Sequence, residues 1–291
     1  MNYKYHLDKS SKKFPCPQCQ KRTFVRYVDT ESKQYLEDRI GRCDRESKCA
    51  YHLSPKGNMP ITGPSVEYKS EEPTFHDQNI IEKFGKNYMD NNFIRYLLTI
   101  FDPVDVREVI LKYLIGTSNH WRGSTVFYQI DEKNDIHAGK VMLYDKKTGK
   151  RVKKPFSFVT WLHRVLRIKD FVLQQCLFGL HRLTDECEIK TIIIVESEKT
   201  AIVMSVFRRD IIWMATGSKS NFKAELLKPL KGREIIAYPD KTEYENWNKT
   251  AKHLRNEGFN IKCSKLMEEN GLEDGDDLVD FIISQKRALA A

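Results

Sequence analysis

Four cysteines fall within the first fifty residues, as CPQC at 16–19 and CDRESKC at 43–49. The surrounding segment, residues 12–54, is polar and poor in long apolar runs, so little except a metal ion could hold it folded. Two pairs of thiolates offer four soft ligands for tetrahedral Zn²⁺. Cys16 and Cys19 have the spacing of a zinc knuckle. Cys43 and Cys49 enclose five residues, a looser match, and His52 is an alternative ligand should either point away. An iron–sulfur cluster is the less favoured occupant, and reduced, unliganded thiols are the bland alternative. A closed four-thiolate shell is structural, so such a ribbon would serve by presenting a surface. Basic residues including Lys12, Lys21, Arg26 and Arg42 interleave with Phe14, Phe24, Tyr27 and Tyr35. That mixture suits single-strand binding by charge and stacking, and it equally suits a ribbon whose aromatics are its own small core.

The 291 residues carry 49 Lys+Arg against 40 Asp+Glu, a net charge of +9, which favours polyanionic partners. No apolar run approaches the roughly 20 residues that span a bilayer, and MNYKYHLDKSSKK lacks the apolar region of a signal peptide. A cytoplasmic protein with reduced thiols is expected, with no membrane partner. PITGPSVEYKSEEP at 60–73 has linker composition. The expected organisation is a ribbon over 1–59, a linker over 60–75, an α+β subdomain over 76–189 and an α/β domain over 190–291.

Between Asp77 and Ile115 the apolar spacing predicts two short helices, broken at Asp102-Pro103. STVFYQI at 124–130 and HAGKVMLY at 137–144 read as a strand hairpin. Residues 161–183 mix periodicities and support no assignment. After Lys190, short apolar runs (TIIIV, IIWMA, EIIAY, FNIKC) alternate with amphipathic segments, the pattern of a doubly wound parallel sheet.

Acids cluster where those strands should end. Glu196 follows the first, Asp240 the third, and Asp276, Asp277 and Asp280 follow the fourth. Ligands of open α/β folds bind at that carboxyl edge, and converging carboxylates suit Mg²⁺ or Mn²⁺ shared with substrate phosphates. Each acid taken alone is more often a helix cap; three at successive strand ends favour a site. Gly217 after the second strand would let a phosphate approach backbone amides, and Lys199 and Lys219 lie near the same rim.

These residues resemble those of bacterial DnaG-type primases and the primase-like Toprim proteins of phages and mobile elements. VESEKTA is similar to the first Toprim motif, with Glu196 as its acid. AYPDKT is similar to the second, with Asp240 at the first aspartate, and DDLVD matches the terminal acidic stretch at Asp277 and Asp280. The resemblance implies a Toprim domain preceded by a primase-like subdomain whose basic residues contact template. Between Lys140 and Lys154 those would include Lys140, Lys147, Lys150, Arg151 and Lys153, a phosphate-tracking surface unless they merely solvate a hairpin. The second motif normally has a further aspartate, where this chain has Thr242, and the zinc ligands also depart from the primase ribbon, which usually includes one histidine.

The expected activity is metal-dependent primer synthesis on single-stranded DNA from nucleoside triphosphates, with a replicative helicase as a candidate partner. Glu196 would act as base or metal-associated acid, and Asp240, Asp277 and Asp280 would bind Mg²⁺ or Mn²⁺. The rivals are a non-catalytic DNA-binding accessory and a Toprim-type nuclease. Cys176, Cys187 and Cys263 have no evident role beyond burial.

Overall fold

The computed structural model describes residues 4–10, 12–45, 49, 51–55, 72–184, 191–269, 272–274 and 276–282. Most of the expected linker, and Cys187, lie outside these residues. The chain divides into two compact units, Met1–Lys69 and Ser70–Ala291.

The first unit is an antiparallel ribbon of β1 (Tyr5–Leu7), β2 (Phe14–Pro15), β3 (Arg22–Asp29), β4 (Gly41–Cys43) and β5 (His52–Leu53). Strand β3 is its spine and pairs with β1, β2 and β4. The core is minimal: Phe24 and the cysteines, with Phe14 and Tyr51 packed against them. Gly41 is obligatory there, since a Cβ would lie 2.3 Å from the Val25 carbonyl oxygen and 2.4 Å from the Phe24 ring.

The ligand atoms of Cys16, Cys19, Cys43 and Cys49 all lie within 4.8 Å of one another. The Cys16–Cys49 and Cys19–Cys43 sulfurs are 3.7 and 4.0 Å apart. A tetrahedron with Zn–S bonds of ~2.3 Å has edges of about 3.8 Å, so the cage is sized for zinc and too wide for disulfides. The Lys21 amide donates to the Cys19 sulfur and pulls that thiol down to about 6, favouring the thiolate a metal needs. His52 is not a ligand: its ring stacks on Tyr27 and its Nε2 lies 3.0 Å from the Tyr27 hydroxyl. Phe14 and Tyr35 pack edge to face, with Arg26 and Lys12 over both rings, so the ribbon aromatics are engaged internally.

The second unit holds two sheets. The antiparallel one runs β6 (Gly116–Ser118), β7 (Ser124–Ile130), β8 (Ile136–Met142), β9 (Val159–Trp161) in chain order. Every residue of β7 and β8 is buried, which their β-branched and aromatic content allows. Three helices precede it where two were expected: α1 (Asn79–Phe84), α2 (Asn92–Leu97) and α3 (Pro103–Lys112). Asp102 caps α3 as Asp102-Pro103 suggests, and Asn91 caps α2. Fully buried Asn91 also donates to the Gly116 carbonyl and accepts from the Thr125 hydroxyl, fastening α2 to β6 and β7. After β9 come a short α4 (Leu162–Val165) and an irregular segment in which Phe178 exchanges both backbone hydrogen bonds with Ala215.

The remaining sheet is entirely parallel, in the order β11 (Ile212–Ala215), β10 (Ile192–Val195), β12 (Glu234–Tyr238), β13 (Asn260–Cys263). Helices α5 (Glu198–Phe207), α6 (Ala224–Leu227), α7 (Tyr244–Asn256) and α8 (Leu266–Glu269) lie between or after the strands. The chain leaves β10 for β11 on one side and returns to β12 on the other, so the topological switch falls at β10 and opens a crevice at the carboxyl ends. One apolar core runs from α2 and α3 through Phe127, Tyr144 and Phe178 to Val195 and α5, joining both sheets.

The zinc cage generates a prediction. Metal analysis of the purified chain is expected to find one zinc per molecule. Cys49→Ser should lose that zinc together with protease resistance across residues 4–55, since the unit has no other substantial core.

Candidate functional site

The carboxyl edge of the parallel sheet opens into a groove of about 460 Å³. Its acidic lining includes Glu196, Asp240, Asp276, Asp277 and Asp280, and its basic lining includes Lys150, Arg151, Lys153 and Lys199. The five acids singled out at the strand ends therefore share one cleft with three of the five expected basic residues from 140–154.

Local structure explains the placement. Glu196 is the first residue after β10, and Ser197 then caps α5 by accepting from the Thr200 amide. Asp240 lies two residues past β12. Asp277 caps the helical turn at 278–282, accepting from the amides of Val279 and Asp280 at 2.9 and 3.1 Å. Its other oxygen accepts from the Thr200 hydroxyl at 2.8 Å and pairs with Lys199 at 2.9 Å.

The electrostatics are those of crowded anions. Burial and the neighbouring Glu196, Asp277 and Asp280 push Asp240 up to about 8, with Lys199 only partly offsetting them. Burial and Glu243 raise Glu196, and burial and Asp277 raise Asp280. Asp277 alone goes down: burial opposes its charge, but the Lys199 ammonium and the Thr200 hydroxyl outweigh burial. The carboxylates share a cleft without closing into a cage. Among the described residues, only the four cysteines form a group of three or more metal-ligating side chains within 4.8 Å.

Three of the predicted cations are committed elsewhere. Lys140 is buried on β8, where its ammonium donates to Glu198 Oε1 at 3.0 Å and to the Gly217 carbonyl at 2.5 Å. Lys199 is held by Asp277, and Lys219 donates to Glu243 at 2.6 Å. Lys140 in particular is 9% exposed and already donates to two acceptors, so it serves as a structural counter-charge and not as a free surface cation. Lys147 is exposed on the turn at 145–149 and is not among the groove-lining residues. Lys150, Arg151 and Lys153 are exposed, and none has a carboxylate partner among the described residues.

The hairpin that carries these three is built tightly. Asp145 accepts from the amides of Lys147 and Thr148, and the Gly149 amide donates to the Asp145 carbonyl. Gly149 has φ +64, and a Cβ there would lie 2.3 Å from the Tyr96 ring, so only glycine fits. Gly217 has φ +73, and its added Cβ would meet Glu198 Oε1 at 3.0 Å and Lys140 Nζ at 3.4 Å. Its role is to admit the buried ion pair.

Several residues escaped sequence reasoning. Glu198, 1% exposed, lies inside VESEKTA two residues after Glu196, in the first turn of α5, where an acid is ordinarily a surface partner of the helix dipole. Glu268 on α8 accepts from the Thr242 amide at 2.7 Å. Thr242, at the expected second aspartate, has φ +78, a left-handed conformation that a β-branched residue adopts at a cost of about 1–3 kcal/mol. No sequence signal pairs Glu268 with that loop.

Breaking the buried pair from one side should be severe. Lys140→Met leaves Glu198 buried without a counter-charge and is expected to cost about 3–5 kcal/mol in urea denaturation. Adding Glu198→Leu should restore much of that loss.

Residues 3–61 match a zinc beta-ribbon finger family. No curated protein matches the chain. Among solved structures, the chain is similar to a DnaG primase catalytic domain bound to ssDNA, at 13% identity and TM-score 0.44, over 71% of this chain and 74% of that one. It is similar to the primase fragment of the bacteriophage T7 primase-helicase at 15% identity and TM-score 0.43, over 96% and 97%. It is also similar to the Aquifex aeolicus primase zinc-binding and RNA polymerase domains at 11% identity and TM-score 0.47, over 96% and 77%. Residues 91–241, just over half of the chain, match a family model covering the antiparallel sheet and the first strands of the parallel one. The chain belongs to the family described as Domain of unknown function (DUF6371).

Proposed function

We propose that this chain is a primase-like nucleic-acid-binding protein whose parallel sheet is a Toprim-type domain performing divalent-metal-dependent nucleotidyl transfer on a single-stranded DNA template. The observation that carries the reading is the shared groove, lined by Glu196, Asp240 and Asp280 together with Lys150, Arg151 and Lys153, cations that have no carboxylate partner among the described residues. The motif resemblances at VESEKTA, AYPDKT and DDLVD support it.

Acids that raise one another's proton affinity form a place where bound cations relieve repulsion, and Mg²⁺ or Mn²⁺ is commonly held by one or two carboxylates plus substrate phosphates. Asp240 and Asp280 would hold such an ion, which would supply charge neutralisation at a phosphate and activation of a hydroxyl. Asp277, saturated by Lys199, Thr200 and its capping bonds, positions Lys199 and the last helical turn. Glu196, with its raised proton affinity, suits proton removal from an attacking 3′ hydroxyl. Lys150, Arg151 and Lys153 hold template or product phosphates, and nucleoside triphosphates enter the same groove.

One observation favours a second reading, a DNA-binding accessory without catalysis. Thr242 replaces a carboxylate, and the Glu268 carboxylate that reaches its loop is occupied by the Thr242 amide.

A labelled-nucleotide assay on single-stranded DNA with Mn²⁺ separates the two. Wild-type protein is expected to form short divalent-dependent products. Glu196→Gln should reduce their yield by at least about a hundredfold, within the range for loss of a general base, while leaving the thermal melt unchanged. Equal yields from both proteins, or none from the wild type, would reject the catalytic reading.

A further inference from the structure

The loop between β8 and β9 carries a second feature that the acidic groove does not use. Its later part, KKPFSFV at 153–159, sets two phenylalanines with one residue between them, separated from two lysines by Pro155. Phe156 is 54% exposed, unusual for a phenylalanine with a core so near. Its ring stacks on Phe158, with centroids 4.2 Å apart and planes 27° from parallel. Phe158 in turn meets Trp121 edge to face at 5.4 Å, and Trp121 meets the exposed His120 at 4.6 Å. Four rings from two loops thus form a continuous ladder, anchored where Trp121 packs on the apolar core of the antiparallel sheet and open at Phe156. Among the described residues, Phe158 is the one ring partner of Phe156.

Cations neighbour the ladder in sequence: Arg122 follows Trp121, and Lys153 and Lys154 precede Phe156. Arg122, next to Trp121, lines a second groove of about 490 Å³ together with Arg95, Lys146 and Val152. Arg95, Arg122 and Lys146 have no ion-pair partner among the described residues. Asp145 and Asp90 also line that groove; the Asp145 carboxylate is taken by the Lys147 and Thr148 amides and the Thr148 hydroxyl, which leaves three cations against the one exposed carboxylate of Asp90. The same hairpin therefore presents Lys150, Arg151 and Lys153 to the acidic groove and Lys146 to the second one, with Tyr144 common to both linings.

An exposed stacked pair, Phe156 on Phe158, extended edge to face through Trp121 and His120 and neighboured in sequence by Arg122, Lys153 and Lys154, fits unpaired bases on a phosphate chain. Duplex DNA hides its base faces and would meet only the charge, whereas an apolar protein partner would leave at least three cations unmatched. We infer that His120, Trp121, Phe156 and Phe158, with Arg95, Arg122 and Lys146, form a base-stacking platform that holds single-stranded nucleic acid beside the acidic groove. The inference rests on the nucleic-acid part of the function proposed above and not on its catalytic part. The platform grips bases without reading their edges, because every base offers a stacking face.

The test uses the full chain and two labelled probes of equal charge, a twelve-nucleotide oligo-dT and an abasic strand of the same length, followed by fluorescence anisotropy. The wild type is expected to bind oligo-dT at least about tenfold more tightly than the abasic strand, as one or more stacked bases require. Phe156→Ala should lose about tenfold on oligo-dT and nothing on the abasic strand, and Phe156→Trp should restore binding. Because Phe156 is mostly exposed, folding is not at risk; Trp121→Ala, which also touches the core, is a second variant to be read beside its thermal melt. Equal affinity of the wild type for the two probes, or unchanged oligo-dT binding in Phe156→Ala, would overturn the platform. Neither result bears on primer synthesis by the wild type, so this failure and that of the catalytic reading are distinguishable.

Discussion

Repulsion among carboxylates at one sheet edge is the constraint around which the second unit is organised. Glu196, Asp240, Asp277 and Asp280 are brought together in a partly buried cleft, and three of them are pushed towards holding a proton. The surrounding cations answer this unevenly. Lys199 neutralises Asp277, Lys219 neutralises Glu243, and Lys140 neutralises Glu198 from below, so the acids left over are those that face the groove. A fold that kept this arrangement for stability alone would be poorly served, since replacing such charges with apolar groups is often neutral or stabilising. The arrangement is the one that the proposed cation site, shared with a ligand, would need.

Topology delivers the charges to that place. In a parallel sheet every strand ends on the same side, so an acid just after β10 and another just after β12 share an edge without any long side chain reaching across. The Lys140–Glu198 pair then joins the two sheets at the rim. Lys140 bonds the Gly217 carbonyl, and the Gly217 amide bonds the Glu196 carbonyl at 2.8 Å, so β8 is coupled to the backbone at Glu196 by two hydrogen bonds. The apolar core from α2 to α5 gives this connection a rigid base. On the exposed side, the hairpin after β8 carries Lys150, Arg151 and Lys153, and the loop that follows it carries Phe156 and Phe158 of the aromatic ladder.

Much of this was legible in the residues alone. The short apolar runs and amphipathic segments after Lys190 specify a doubly wound sheet because only burial on both faces tolerates strands such as TIIIV. The acids at the strand ends follow from that; the cysteine cage was legible from the CPQC and CDRESKC pairs, and the hairpin of β7 and β8 from its β-branched and aromatic runs. Tertiary pairing was not legible. Lys140, Lys199 and Lys219 look like free cations in the sequence because the acids that hold them arrive from elsewhere in the fold: Glu198, Asp277 and Glu243. The third helix was missed because six residues give barely two turns of periodicity, and residues 161–183 resisted assignment because most of them are irregular chain. His52 had the right distance along the chain to be a ligand, but its pairing on β5 turns it towards Tyr27.

The central claim is that Asp240 and its neighbours bind a divalent cation, and Mn²⁺ titration followed by electron paramagnetic resonance tests it most directly. Without metal, Asp240 holds its proton up to about 8. Being raised in the folded state, that proton stabilises the fold at low pH, and the benefit is lost as pH climbs through about 8. A cation must displace it, so Mn²⁺ affinity is predicted to strengthen about tenfold per pH unit between roughly 6 and 8, and to vanish in Asp240→Asn. Binding that ignores pH over this range and survives Asp240→Asn would contradict the account.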